Sequence, residues 1–171
     1  DKILTAWNGL MISAFVKGYR ISGESKYLNA ALTASNFYRK QFEKYGILYR
    51  VFKDNKSNLN AYLDDYAYLI NSIVDVFEVT GDSDYLDFAI KLSDYLIEHF
   101  WDDKNGNFFF TADDHEKLII RPKSNYDLSM PSGNSVAANA FLRLNCLTQK
   151  EKFYKITQKI LELQASIAAE N

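Results

Sequence analysis

Apolar positions recur along this chain at the three- and four-residue spacing of amphipathic helices, and they do so six times. In the first helix, 6–21, Leu10, Met11, Ala14, Phe15, Gly18 and Tyr19 share a stripe; Thr5 is placed to cap its start and Gly23 to end it in a left-handed turn. The second, 26–42, sets Leu28, Ala31, Leu32, Ser35, Tyr38 and Phe42 on one face and Lys26, Arg39, Lys40 and Glu43 on the other. Residues 46–52 read as a short strand ended by Asp54-Asn55, and a polar loop leads to a third helix, 61–80, closed by Gly81. The fourth, 85–100, carries Tyr85, Phe88, Ala89, Leu92, Tyr95, Leu96 and Phe100 in a stripe. A turn at 102–106 precedes a predicted β-hairpin of 107–111 with 117–121. The fifth helix starts near Ser132, and the capping-box pattern Thr148-Gln149-Lys150-Glu151 opens the sixth.

The pattern is a repeat. Gly23-Glu24-Ser25-Lys26-Tyr27-Leu28 matches Gly81-Asp82-Ser83-Asp84-Tyr85-Leu86, and 148–154 is a looser third copy. Each unit is a helical hairpin followed by a short excursion, giving hairpins at roughly 5–43, 61–101 and 132–168. The first helix of each pair is poor in charge, and Arg143 is the only charge in the fifth, whereas each second helix has a busy polar face. Nearly all-round apolar helices are buried and striped ones are peripheral, so helices one, three and five should form an inner layer and two, four and six an outer one. Successive inner helices then run parallel, with their N-termini and the excursions at one end, where their partial positive charges add.

Composition narrows the partners. A net charge of −2 gives no electrostatic case for nucleic acid or an anionic membrane surface. No apolar run approaches the roughly 20 residues of a membrane helix, and no signal peptide is visible. The single Cys146 excludes an internal disulfide or multi-cysteine metal site; it reads as a small core residue, compatible with a reducing, cytoplasmic setting. His99 and His115 lack metal-ligand spacing, so neither metal nor cofactor is expected. A start at Asp1 with Ile3-Leu4 running straight into a helix points to a piece of a longer protein.

Candidate chemistry gathers at the inner-helix starts. Asp64 and Asp65 open the third helix beside Tyr62, Tyr66 and Tyr68. Consecutive residues lie about 100° apart on a helix, so one carboxylate can face a cavity while the other caps or pairs sideways. A cavity-facing Asp64, with Asp127 across the cleft, would supply the two carboxylates of glycoside chemistry; equally, first-turn acids can simply complement the helix dipole. Trp7 and Tyr66 are candidate stacking rings for a sugar; Asn8, Ser132 and Asn134 are candidate polar contacts, with Gly133 allowing close backbone approach. For Trp7 the alternative is a core ring, and for Ser132-Gly133-Asn134 an ordinary cap. Arg50, Arg121 and Lys123 flank the excursions and suit a carboxylate or sugar phosphate, or stand as plain surface charges.

The segments 1–12, Tyr62-Leu63-Asp64-Asp65-Tyr66-Ala67, Asn107-Phe108-Phe109-Phe110-Thr111, Arg121-Pro122-Lys123 and Pro131-Ser132-Gly133-Asn134-Ser135 occur in an order that resembles the YyaL / spermatogenesis-associated family of thioredoxin-domain-containing proteins. The resemblance implies an all-α fold of three consecutive hairpins, about half of an (α/α)6 toroid like those of N-acylglucosamine 2-epimerases and six-hairpin glycosidases. It implies an N-terminal thioredoxin-like domain outside this chain. The resemblance does not itself settle function; the leading reading is a carbohydrate-related role at the inner N-terminal face, and, if the chain is an enzyme, glycosidase-like acid/base chemistry is favoured over 2-epimerase chemistry because the histidine pair of the epimerases has no clear equivalent here. A non-catalytic scaffold for a peptide or partner domain, or a platform positioning substrate for the thioredoxin-like domain, remains the alternative. An open half-ring leaves apolar flanks, so self-association of the chain is expected.

Overall fold

The computed structural model describes residues 1–115, 120–123, 126–127 and 129–169. Six helices alternate with short strands: β1 (Ile3–Leu4), α1 (Thr5–Ser22), α2 (Ser25–Tyr45), β2 (Tyr49–Lys53), β3 (Lys56–Asn60), α3 (Leu63–Thr80), α4 (Ser83–Phe100), β4 (Trp101–Asp102), β5 (Asn107–Phe108), α5 (Gly133–Thr148) and α6 (Glu151–Ala169). Gly23, Gly46 and Gly81 end α1, α2 and α3 with φ of 67 to 71°, each amide turning back to the carbonyl four residues earlier.

The layering follows the predicted parity. α3 lies between α1 and α5, and each outer helix packs on the inner helix that precedes it. α3 is enclosed almost throughout, with Leu63, Tyr66, Leu69, Ile70, Ile73 and Val76 in the core. Tyr66, Ile70 and Ile73 share the side of α3 that faces α4, where the Tyr66 ring stacks on Tyr95 at 5.1 Å. The opposite side, at 64, 68, 71, 75 and 78, bears polar groups. There Asp75 takes hydrogen bonds from Ser13 of α1 and Arg143 of α5, so this side is the concave face of the layer.

α1 and α3 touch through Gly9. A Cβ at that position would lie 2.8 Å from the carbonyl carbon of Tyr68 and 2.9 Å from its oxygen, so only glycine lets the two backbones meet.

Several local expectations are corrected. Thr5 does not cap α1: it is the helix's first residue, and its hydroxyl donates to the Tyr49 carbonyl at 2.6 Å, tying α1 to β2. The polar loop after 52 contains a further strand, β3, paired antiparallel with β2, which in turn pairs with β1. Asp54 and Asn55 both have positive φ, the backbone of a two-residue hairpin turn. β5 pairs with β4 (Trp101↔Phe108) rather than with 117–121, of which 117–119 lie outside the described residues. Thr148 is the last residue of α5, its hydroxyl donating to the Leu144 carbonyl, so the capping box is not formed as expected. Cys146 is exposed, not a core residue.

Among the described residues no helix is long and apolar enough to cross a membrane. The end hairpins keep apolar side chains in solvent: Trp7, Leu10, Met11 and Ile21 on α1, Leu142 and Leu147 on α5, Tyr154 and Leu161 on α6.

Two outcomes are expected. Gly9→Ala should lower unfolding stability by on the order of 1–3 kcal/mol in urea titrations, because an added methyl forces the backbones of α1 and α3 apart. From the uncovered end hairpins we propose that the chain pairs with a second copy, each bringing three hairpins to one ring. Light scattering in dilute solution should then give a dimer mass, and a strictly monomeric species would contradict it.

Candidate functional site

The site is organised by Asp65, third residue of α3 and only 1% exposed. Its Oδ1 accepts the Ala6 amide at 3.0 Å and its Oδ2 the Tyr62 amide at 3.0 Å. These are orphan donors at the starts of α1 and α3, so one carboxylate caps two helices. Arg50 of β2 approaches Oδ2 at 3.4 Å, its guanidinium 5.0 Å from the centre of the Tyr62 ring. Burial pushes the Asp65 carboxyl up to about 6, against the opposing pull of the Tyr62 amide, Arg50 and the Ala6 amide.

Asp64, one residue earlier, is half-buried and turned to the concave face. Burial raises its pKa, opposed by Arg50 and by a hydrogen bond from the Gly133 amide at the start of α5. Gly133 is what permits this approach: a Cβ there would lie 2.5 Å from Asp64 Oδ1 and 2.6 Å from Leu63 Cγ. The Tyr68 hydroxyl donates to the Pro131 carbonyl at 2.7 Å, a second tie between α3 and the α5 start. Burial, then the Asp64 and Asp127 charges, push the Tyr68 phenol up to about 12. Asp127 accepts the Ser132 amide at 2.8 Å, and Ser132 Oγ accepts the Ser135 amide at 3.2 Å. The leading turns of α1, α3 and α5 thus meet at one mouth around Asp64 and Asp65.

Trp7 stands at that mouth, 63% exposed and not a core ring. With Leu10, Met11, Ala14 and Met130 it lines an apolar cavity of about 440 Å3. Because Trp7 follows Ala6 and Met130 precedes Pro131, this wall flanks the first two turns of α3. Two cavities of similar size, about 510 Å3 between α1 and α2 and about 490 Å3 between α4 and α6, lie away from the starts of α3 and α5, and none of the three is lined by Asp64 or Asp65.

Other candidates fall elsewhere. Tyr66 is a core residue facing α4, its hydroxyl accepting the Leu48 amide at 3.0 Å, so it does not reach the mouth as a stacking ring. Asn134 is buried, its Oδ1 accepting the Phe108 amide at 2.8 Å and so holding β5 against α5. Asn8 donates to the Leu4 carbonyl at 2.9 Å. Lys123 pairs with Asp102 and lies over the Phe109 ring. Arg121 is engaged by the Thr111 and His99 carbonyls.

Two features are not anticipated from the sequence. Tyr62 stacks on Phe110 (4.9 Å) and on His115 (5.1 Å), an aromatic rim built by an excursion whose path the sequence does not reveal. Below Asp64, the concave face carries Asn71, Asp75 and Glu78 of α3, joined to Asn139 and Arg143 of α5. Its signal is present in the sequence: polar residues at 64, 68, 71, 75 and 78, at alternating four- and three-residue steps in an apolar helix, with Arg143 the lone charge of its neighbour.

The Asp65 titration has a measurable sign. Its folded pKa is raised, so the carboxyl's contribution to stability is complete below the unfolded value of 3.8 and is lost as pH rises through about 6. The stability of the wild type relative to Asp65→Asn should therefore fall by on the order of 1–3 kcal/mol between pH about 4 and pH about 7. A difference independent of pH would contradict this.

No family model matches the chain. It is 31% identical over 162 residues to an uncharacterized protein of Caenorhabditis elegans, covering 90% of this chain and 22% of that protein. It is 31% identical over 159 residues to spermatogenesis-associated protein 20 of Rattus norvegicus, covering 86% and 20%. The chain thus spans about a fifth of the length of the curated relatives it matches. Among solved structures, a GH76 alpha-mannanase of Bacteroides thetaiotaomicron superposes with a TM-score of 0.75 at 18% identity, covering 95% of this chain and 44% of that one. The cellobiose 2-epimerase of Bacillus thermoamylovorans gives 0.74 at 12% identity, covering 93% and 44%. An inactive alpha-1,6-mannanase variant of Salegentibacter, with two consecutive aspartates replaced and alpha-1,6-mannotriose bound, gives 0.75 at 13% identity, covering 94% and 46%. Homology across most of its length and a shared ring architecture make this chain a relative of the spermatogenesis-associated proteins, folded as three hairpins of an (α/α)6 toroid.

Proposed function

We propose that the mouth formed by the leading turns of α1, α3 and α5 binds a sugar and that Asp64 is the carboxylate that acts on it. The observation that carries this reading is the division of labour within the aspartate pair. Asp65 is consumed by two helix amides and Arg50, while Asp64 stays half-buried on the concave face at the start of α5, with Trp7 exposed on the leading turn of α1. A carboxyl whose pKa burial raises is suited to deliver a proton to a leaving oxygen. Asp127, exposed and electrostatically coupled to Tyr68, is the second carboxylate in this scheme. Trp7 offers a ring face, and the part-exposed Arg50 is the cation at the mouth that would meet an anionic substituent.

Structural neighbours named as mannanases and a cellobiose 2-epimerase support a carbohydrate ligand, and the consecutive aspartates replaced in the inactive mannanase parallel Asp64-Asp65 in kind. A scaffold role is favoured for Asp65, whose contacts are all structural.

A calorimetric screen with alpha-1,6-mannotriose, cellobiose and mannose 6-phosphate tests the reading. At least one sugar should bind, and Asp64→Asn and Trp7→Ala should each weaken it about tenfold or more while both variants keep the wild-type circular dichroism spectrum and a cooperative melt. No binding by any of the three, or wild-type affinity in Asp64→Asn, would overturn it.

A further inference from the structure

The concave face holds one polar arrangement that the carboxylate mouth does not use. Arg143 Nη1 lies 2.8 Å from Asn71 Oδ1, and Asn139 Nδ2 lies 3.0 Å from that same oxygen. The orientation of both amides is chemically forced. A guanidinium only donates, so Asn71 must turn its oxygen to Arg143; Asn139, facing that oxygen, must turn its NH2 to it. Asn71 Nδ2 and Asn139 Oδ1 are then the open ends of this bonded pair, one donor and one acceptor, with no further partner among the described residues.

Arg143 is itself immobilised. It donates to Asp75 at 2.6 Å and pairs with Glu78 at 2.9 Å, while Ser13 holds Asp75 and Arg20 holds Glu78 at 2.8 Å. A network spanning α1, α3 and α5 thus presets the amide pair before any ligand arrives.

We infer that Asn71 and Asn139 form a second recognition point for the same ligand, specific for a vicinal diol; this rests on the sugar reading of the mouth. One hydroxyl accepts from Asn71 Nδ2, and its neighbour donates to Asn139 Oδ1. Asn71 lies seven residues beyond Asp64 on the same face, about 10 Å along the helix at 1.5 Å per residue. A single pyranose ring does not span that distance, so the ligand class is an oligosaccharide running along the concave face of α3. Arg143 is a positioning residue that fixes which amide atoms are offered.

The test titrates alpha-1,6-mannotriose, and its monodeoxy derivatives, into the wild-type chain, Asn139→Ala, Asn139→Ser and Asp64→Asn. Asn139 is exposed, so its variants should melt with the wild type. Both should bind mannotriose about three- to tenfold more weakly. A derivative lacking the recognised hydroxyl should bind the wild type that weakly too, with no further loss in Asn139→Ala. Wild-type affinity in both Asn139 variants, with Asp64→Asn weakened, would overturn the diol site and leave the mouth standing. A trisaccharide that does not bind the wild type would overturn the diol site, and the three-sugar screen then decides the mouth separately.

Discussion

One buried carboxylate sets the geometry on which the rest depends. Helices that start side by side leave unbonded amides that a dry interior cannot tolerate. Asp65 answers that constraint for two helices at once, taking the Ala6 amide of α1 and the Tyr62 amide of α3, with Arg50 balancing its charge. Asp64 and Gly133 extend the arrangement to α5, and the missing Cβ of Gly133 decides how near α5 can come. At the other inner junction Gly9 does the same for α1. Two glycines and two aspartates therefore align three inner helices, and the candidate site follows from that alignment.

The coupling of scaffold and chemistry explains why adjacent identical residues have different fates. A 100° step sends Asp65 into the junction with α1 and leaves Asp64 on the concave face. The same step separates Tyr66, packed on Tyr95, from Tyr68, whose hydroxyl reaches Pro131. Two turns further on, the same face offers Asn71, then Asp75 and Glu78, tied to α5 through Arg143. What a ligand would meet is thus one stripe of one helix, flanked by its two neighbours.

Much of this is legible in the sequence. The alternation of charge-poor and striped helices gives the layers, and the repeated Gly-x-Ser-x-Tyr-Leu turns give the hairpins. Parity then puts the helix starts at one mouth. What cannot be read is the direction of individual side chains. Tyr66, rather than Tyr68, reads as the mouth residue because composition does not say which side of α3 meets α4. Asn134 looks like a ligand contact because nothing local reveals that Phe108 of β5 returns to pair with it. Thr5 looks like a cap because its partner, the Tyr49 carbonyl, is 44 residues away. In each case a long-range contact overrides a local rule. The stripe at 64, 68, 71, 75 and 78 is the exception: its spacing stands in the sequence, hidden only by the apolar majority around it.

The most direct measurement is a 15N-labelled NMR titration of the chain with alpha-1,6-mannotriose. Shifted amides should cluster at Trp7, Asp64, Tyr68 and Gly133, on the leading turns of all three inner helices together. Shifts confined to the outer helices α2, α4 and α6, or to one inner helix alone, would contradict a mouth built by their convergence.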